Sequence, residues 1–184
     1  MVSVTEDLAV SDDVLIGRLV KGDEAAFVAL YRRHSPAVYG LLCRVLGPHR
    51  PEANDLLQET WIRATARVAS FRGDAQFRTW LMSVALNCYR EWRRRHDRHE
   101  PIDVEVVDVG MDSRDERSCD IRRVLTGMPD AFREVLVLHD IEGYTHDEIA
   151  RLVGIEPGTS KSRLSRARDL FRRRWLPPAG DRHD

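Results

Sequence analysis

The chain has 184 residues, 42% apolar and 32% charged, the balance of a soluble globular protein rather than a fibrous or low-complexity one. Lysine and arginine (29) nearly cancel aspartate and glutamate (30), and the resulting net charge of -1 excludes a polycation that holds nucleic acid through bulk charge. Any such affinity must come from local patches.

Cys43, Cys88 and Cys119 lie far apart, with no CxxC and no zinc-site spacing, which fits free thiols in a reducing compartment and predicts no metal. The N-terminal stretch MVSVTEDLAVSDD is acidic and lacks the basic-then-apolar order of a secretory signal. No apolar run approaches bilayer length, so a cytoplasmic location is expected.

From Ser11 to about His99 the apolar residues fall at helical spacing, with breaks at Lys21-Gly22-Asp23, Ser35-Pro36, Gly47-Pro48 and Gly73-Asp74. About four helices are predicted there. In the last of them Phe77, Trp80, Leu81, Val84, Ala85, Cys88 and Trp92 recur every three to four residues after Asp74, an N-cap candidate. Trp80 and Cys88 are expected in its core-facing stripe. The helix ends in REWRRRHDRH, with five arginines in ten residues. Glu100 to Asp120 then carries eight acidic residues against two arginines and no helical period, which reads as a linker. Helical patterning returns from Ile121 to Trp175, bounded by Pro129, Gly143, Gly154 and Pro157, and the tail LPPAGDRHD is expected to be disordered. No segment alternates convincingly as a strand; the nearest is VEVVDV, and its charges and isolation argue against one. The fold class is therefore all-α: two small helical domains, 11–99 and 121–176, joined by a flexible acidic linker, 100–120.

Within the second domain, Thr145-His146-Asp147-Glu148 is a capping box opening a short helix that ends at Gly154. A turn, Ile155 to Gly158, leads to a helix from Thr159 to Trp175. The sequence of helix, glycine-containing turn and helix is the layout of a DNA-binding helix-turn-helix. On the second helix Ser160, Leu164, Ala167, Phe171 and Trp175 form a core-facing stripe. The opposite side carries Lys161, Ser162, Ser165, Arg166, Asp169, Arg172 and Arg173, with Arg163 and Arg168 on the flanks. Short hydroxyl side chains between long cations let a helix sink into a major groove while the cations reach bases and phosphates.

A nucleotide-binding loop does not fit this stretch, because three residues rather than four separate Gly154 from Gly158, and Thr159-Ser160 intervene before Lys161. His146-Asp147-Glu148 cannot converge on one metal, since consecutive helical side chains diverge by about 100°. His139-Asp140 reads as a surface pair with no third partner.

Two collinear blocks resemble the extracytoplasmic-function (ECF) sigma factors, the small promoter-recognition subunits of bacterial RNA polymerase. ANDLLQETWIRA is similar to the segment that binds the clamp helices of the polymerase largest subunit, and FRGDAQFRTWLMSVALNCYREWRRR to the segment that melts and captures the minus-ten element. MPDAFREVLVLHDIEGYTHDEIARLVGIEPGTSKSRLSRAR resembles the minus-thirty-five-binding domain.

By that resemblance Asp55, Gln58 and Glu59 would face core polymerase. Phe71, Arg72, Gly73, Asp74 and Phe77 would form the loop that receives a flipped base, Asn87 would contact the same strand, and Arg90, Arg93, Arg94 and Arg95 would follow its phosphates. Lys161, Ser162, Arg163, Ser165 and Arg166 would contact the minus-thirty-five element, with His146 and Asp147 near it. Ser160 stands where the family usually has valine, so its buried hydroxyl needs a partner. Ser165 replaces an often bulkier residue and Ser83 a frequent arginine.

The resemblance implies a non-enzymatic protein with no cofactor and no small-molecule substrate. Its implied partners are core RNA polymerase (clamp helices and flap), promoter DNA and an anti-sigma factor, often a membrane protein. The alternative is a stand-alone helix-turn-helix regulator, which would usually dimerise; no heptad or spare apolar face offers a dimer seam.

Overall fold

A computed structural model describes residues 10–71, 73, 76–96 and 116–175. The expected site residues Arg72 and Asp74, most of the expected linker and the tail after Trp175 lie outside the described residues. Among those described, every regular element is helical. The chain divides into two compact units, one drawn from Met1–Leu42 and Pro51–Trp92, the other from Cys43–Arg50 and Arg93–Asp184.

In the first unit, α1 (Asp12–Val20) carries Asp12 and Asp13 in its first turn and Arg18 in its last, each suited to the helix dipole. Gly22, at φ 85°, turns the chain into α2 (Glu24–Leu46), and Asp23 receives the Ala25 and Ala26 amides (2.9 and 3.3 Å). Asp23 also takes a hydrogen bond from Arg18 Nε at 2.8 Å, and these donors hold its carboxyl below the usual range.

The break expected at Ser35-Pro36 does not occur. Pro36 lies inside α2 with its ring toward solvent, while Ser35 is buried and accepts a 3.0 Å hydrogen bond from Trp61 Nε1. Burial of Leu30, Val38, Leu41 and Leu42 on either side offsets the one backbone bond that proline removes. Helices α3 (Ala53–Arg67) and α4 (Phe77–His96) complete this unit's core through residues such as Leu56, Trp61, Leu81, Ala85 and Tyr89. Cys88 is buried as expected, and desolvation pushes its thiol pKa up.

In the second unit, α5 (Glu116–Thr126) starts inside the stretch expected as linker. Once Val124 and Leu125 are buried, extending the helix N-terminally needs no new nucleus. Helix α6 (Asp130–Leu136) runs into a π-helical turn, Val137–Ile141, before α7 (His146–Val153) and α8 (Pro157–Trp175). Helix α8 begins two residues ahead of expectation. Proline fits the first turn of a helix because its missing N–H would be unpaired there anyway, and the Ser160 amide already bonds back to the Glu156 carbonyl at 3.0 Å. No described helix is long and apolar enough to cross a membrane.

Candidate nucleic-acid interface and docking face

The geometry of the second unit starts at Thr145. Its hydroxyl accepts from the Glu148 amide (3.3 Å), and its own amide donates to Glu148 Oε2 (2.8 Å), closing the expected capping box. The Thr145 amide first, and then its hydroxyl, which also donates to Glu148 Oε2 at 2.8 Å, hold the Glu148 carboxyl below its ordinary range. At the other end of α7, Gly154 takes a left-handed φ of 72°, and the Gly154 and Ile155 amides both return to the Ala150 carbonyl (2.9 and 3.1 Å). The chain thus reverses within three residues into α8.

Ser160, Leu164 and Ala167 of α8 are buried, as the stripe predicts. Phe171 is half-buried and Trp175 is 40% exposed, so the stripe stops short of the helix end, where the two rings stack on one another at 5.6 Å. The Ser160 hydroxyl finds its partner in His146 Nδ1, 3.0 Å away. On the opposite side Lys161, Ser162, Ser165 and Arg166 are all exposed, and Arg163 is half-buried. The Ser162 hydroxyl donates to the Thr159 carbonyl at 3.0 Å, which keeps that side chain close to the helix. Asp147 is exposed and His146 half-buried at the start of α7.

The expectation that His139-Asp140 lacks a third partner is overturned. Arg168 Nε and Nη2 donate to Asp140 Oδ2 and Oδ1 (2.9 and 2.6 Å), and His139 Nδ1 lies 2.8 Å from Asp140 Oδ1. Arg168 is 28 residues away in sequence, so nothing local in His139-Asp140 announces it. The arginine first, and His139 after it, holds the Asp140 carboxyl below the usual range.

In the first unit, Asp55 and Gln58 are exposed and Glu59 half-exposed on one side of α3. Helical spacing places Ile62 on the same side, and at 63% exposure it is an uncovered apolar residue amid polar ones. Sequence reasoning missed it because Ile62 also fits an apolar helical pattern. Glu59 is not an open charge: Arg63 Nε donates to it at 2.6 Å, and Arg63 Nη1 also reaches Glu91 at 2.7 Å.

Ahead of α4, Phe71, Phe77 and Trp80 form a closed aromatic triangle, with ring centroids 5.4 to 5.6 Å apart. Trp80, expected in the core, is half-buried with one side on this triangle. Gly73 is exposed at φ 76°, a turn conformation that side chains rarely adopt. Further along α4, Asn87, Arg94 and Arg95 are exposed, while Arg90 and Arg93 are half-buried. The Ser83 hydroxyl is turned back on the helix, donating to the Trp80 carbonyl at 2.6 Å.

A helical unit joined to a helix-turn-helix with a basic outer side defines a transcription protein of the DNA-binding class. Two family models match the chain in order: Sigma-70 region 2 over residues 30–99 and Sigma-70, region 4 over residues 120–170. An ECF RNA polymerase sigma-E factor of Haemophilus influenzae is 30% identical, over 91% of this chain and 96% of that protein. The RNA polymerase sigma-H factor of Pseudomonas aeruginosa is 28% identical, over 90% and 94%.

Among solved structures, the sigma factor RpoE of Bartonella quintana, in complex with the anti-sigma factor NepR, shares the fold: TM-score 0.60, 24% identity, 80% of this chain and 95% of that one. CnrH in complex with the cytosolic domain of CnrY gives a TM-score of 0.57 at 25% identity, over 87% and 94%. The chain belongs to the extracytoplasmic-function family of RNA polymerase sigma factors.

Proposed function

We propose that this chain binds core bacterial RNA polymerase and directs it to promoters carrying its own minus-thirty-five and minus-ten elements, with no catalysis of its own. The observation that carries the reading is α8. Its inner side is buried at Ser160, Leu164 and Ala167, and its outer side presents Lys161, Ser162, Ser165 and Arg166, with Asp169 the one acid on that side. Exposed cations flanking small hydroxyl side chains fit a major groove, where arginine pairs with guanine edges and lysine with phosphates. Asp147 and His146 at the start of α7 lie where a helix N-terminus can approach the DNA backbone.

In the first unit, Asp55 and Gln58 form the docking face for a basic polymerase surface, with Ile62 as its apolar centre and Glu59 softened by Arg63. The turn at Gly73, between Phe71 and Phe77 in the chain, receives an unstacked base, and Asn87 and Arg90, continued along α4 by Arg94 and Arg95 of the second unit, follow the displaced strand. Arg93 shares that basic helix end. Burying a base against aromatic rings offsets the few kcal/mol that unstacking costs.

The partners follow from this reading: core polymerase, promoter DNA and, by analogy with the complexes of the similar folds, an anti-sigma protein. The place of action is the cytoplasm, where the polymerase is. The test is to add the purified chain to sigma-free core polymerase on fragmented genomic DNA and map transcript 5′ ends against core alone. New starts preceded by two shared elements at fixed spacing support the reading. No new starts, with tight binding of the chain alone to DNA, would replace it with a stand-alone regulator.

A further inference from the structure

Helix α8 is held against its neighbours at Leu164 and Ala167 by apolar contact, which resists separation but has little directional preference. Direction is supplied on either side of that contact. At the start of the helix Ser160 shares its hydrogen bond with His146, and about two turns further on Arg168 grips Asp140 with two. We infer that Asp140 and His146 are positioning residues for α8, pinning it at Ser160 and Arg168 and so fixing the direction in which Lys161, Ser162, Ser165 and Arg166 point. The inference rests on α8 being the helix that enters the groove.

The two pins are continuous with one another. The His139 ring lies on the His146 ring at 4.6 Å between centroids and 30° between planes, and His139 Nδ1 shares a hydrogen bond with Asp140 Oδ1. A chain of contacts therefore runs Arg168, Asp140, His139, His146, Ser160, touching α8 at both ends. Its middle members stand in or beside the π-helical turn, Val137–Ile141. From this turn His139 reaches His146 of α7, while Asp140 reaches Arg168 of α8.

Bidentate arginine to carboxylate is the geometry with the least rotational freedom among side-chain ion pairs. Its partners are 45% and 30% exposed, so solvent screens it and its share of folding stability is small. A pair that orients without much stabilising is what a positioning role requires.

Around His146, His139 and Asp140 come from the π turn, Asp147 from α7, and Lys161 and Arg168 from α8. Burial first, then electrostatic interaction with His139, Lys161 and Arg168, holds its pKa below the ordinary imidazole value, which favours the neutral ring.

The experiment uses the full chain with core polymerase. Run-off transcription is measured from one promoter and from a panel of its single-base minus-thirty-five substitutions, with thermal melting of each variant alongside. Asp140→Asn is expected to melt near wild type, and His146→Ala lower because it strands the buried Ser160 hydroxyl; both are expected to lose roughly fivefold in discrimination between the parent element and its substitutions. His146→Asn, which can still bond Ser160, is expected to keep it. The reversed pair Asp140→Arg with Arg168→Asp is expected to recover most of what Arg168→Asp alone loses.

A purely structural role would lower transcription from all promoters together and leave the ratios unchanged. Unchanged ratios in Asp140→Asn, or a reversed pair no better than its single members, overturn the inference. Arg166→Ala separates the two levels. If it alters discrimination while Asp140→Asn does not, only the pinning fails; if neither alters it, α8 is not the reading helix and both readings fail.

Discussion

The uncovered Ile62 gives the sharpest quantitative test of the docking face. Fully burying an isoleucine side chain is worth about 1.5–3 kcal/mol relative to leaving it in water. At 63% exposure, docking can still bury about that fraction, or roughly 1–2 kcal/mol. Alanine keeps one carbon of the side chain, so Ile62→Ala is expected near the lower end, about 1 kcal/mol, which is a roughly fivefold weaker complex with core polymerase. Ile62→Asp should cost more, because docking would strip water from a carboxylate without supplying a partner.

Competition between labelled wild-type chain and unlabelled variants for core polymerase measures both. Thermal melting should barely move for either, since little of Ile62 is packed in the folded chain. Salt separates apolar from ionic contributions: the wild-type to Ile62→Ala ratio should hold as ionic strength rises, whereas the deficit of Asp55→Asn should shrink. Core binding by Ile62→Ala within twofold of wild type, while Asp55→Asn is weakened, would refute the apolar centre and leave the face purely electrostatic.

Other expectations are narrower. Because Arg63 already neutralises Glu59, Glu59→Gln should weaken core binding less than Asp55→Asn in the same assay, and the reverse order would show that Glu59 leaves Arg63 on docking. Arg166→Ala should cost about 1–3 kcal/mol at the upstream element if it reads a base edge; an equal loss on every upstream sequence in a holoenzyme binding assay would make it a phosphate contact instead. Removing the cap with Thr145→Ala should destabilise the second unit by about 1 kcal/mol in denaturant titration, and an unchanged midpoint would mean α7 is set by packing alone. Glu148 has a folded pKa below its unfolded one. Its contribution is therefore full above the unfolded carboxylate range and disappears as pH falls through the folded value, so melting temperature should drop on acidification. Glu148→Gln should flatten that acid slope, and a slope identical to wild type would remove the residue from it.

What could be read from the sequence was what repeats locally. The helical spacing of Phe77 to Trp92 and the Thr145 to Glu148 cap need only neighbours within one or two turns, and both stand where the pattern placed them except for Trp80, which is only half-buried. Pattern failed where packing overrode a local signal. Pro36 is punctuation in an isolated peptide but not in a helix whose buried residues flank it on both sides. Trp175 failed in the opposite sense: periodicity extends the apolar stripe to it, yet it stays 40% exposed.

The remaining gap is one of sequence distance. His139 and Asp140 look like a surface pair until Arg168 arrives from 28 residues away, and Ser160 looks like a defect in an apolar stripe until His146 meets it from 14 residues away. Each half of these contacts is unremarkable alone, and only a fold that sets α7 and the π turn beside α8 turns them into partners. In a recognition helix this has a consequence for inference. The residues that touch a groove can be proposed from the face they share, but the residues that aim that face belong to other elements and carry no periodic signature. Asp140 and His146 are therefore invisible to any reading of α8 alone, however well its outer side is described.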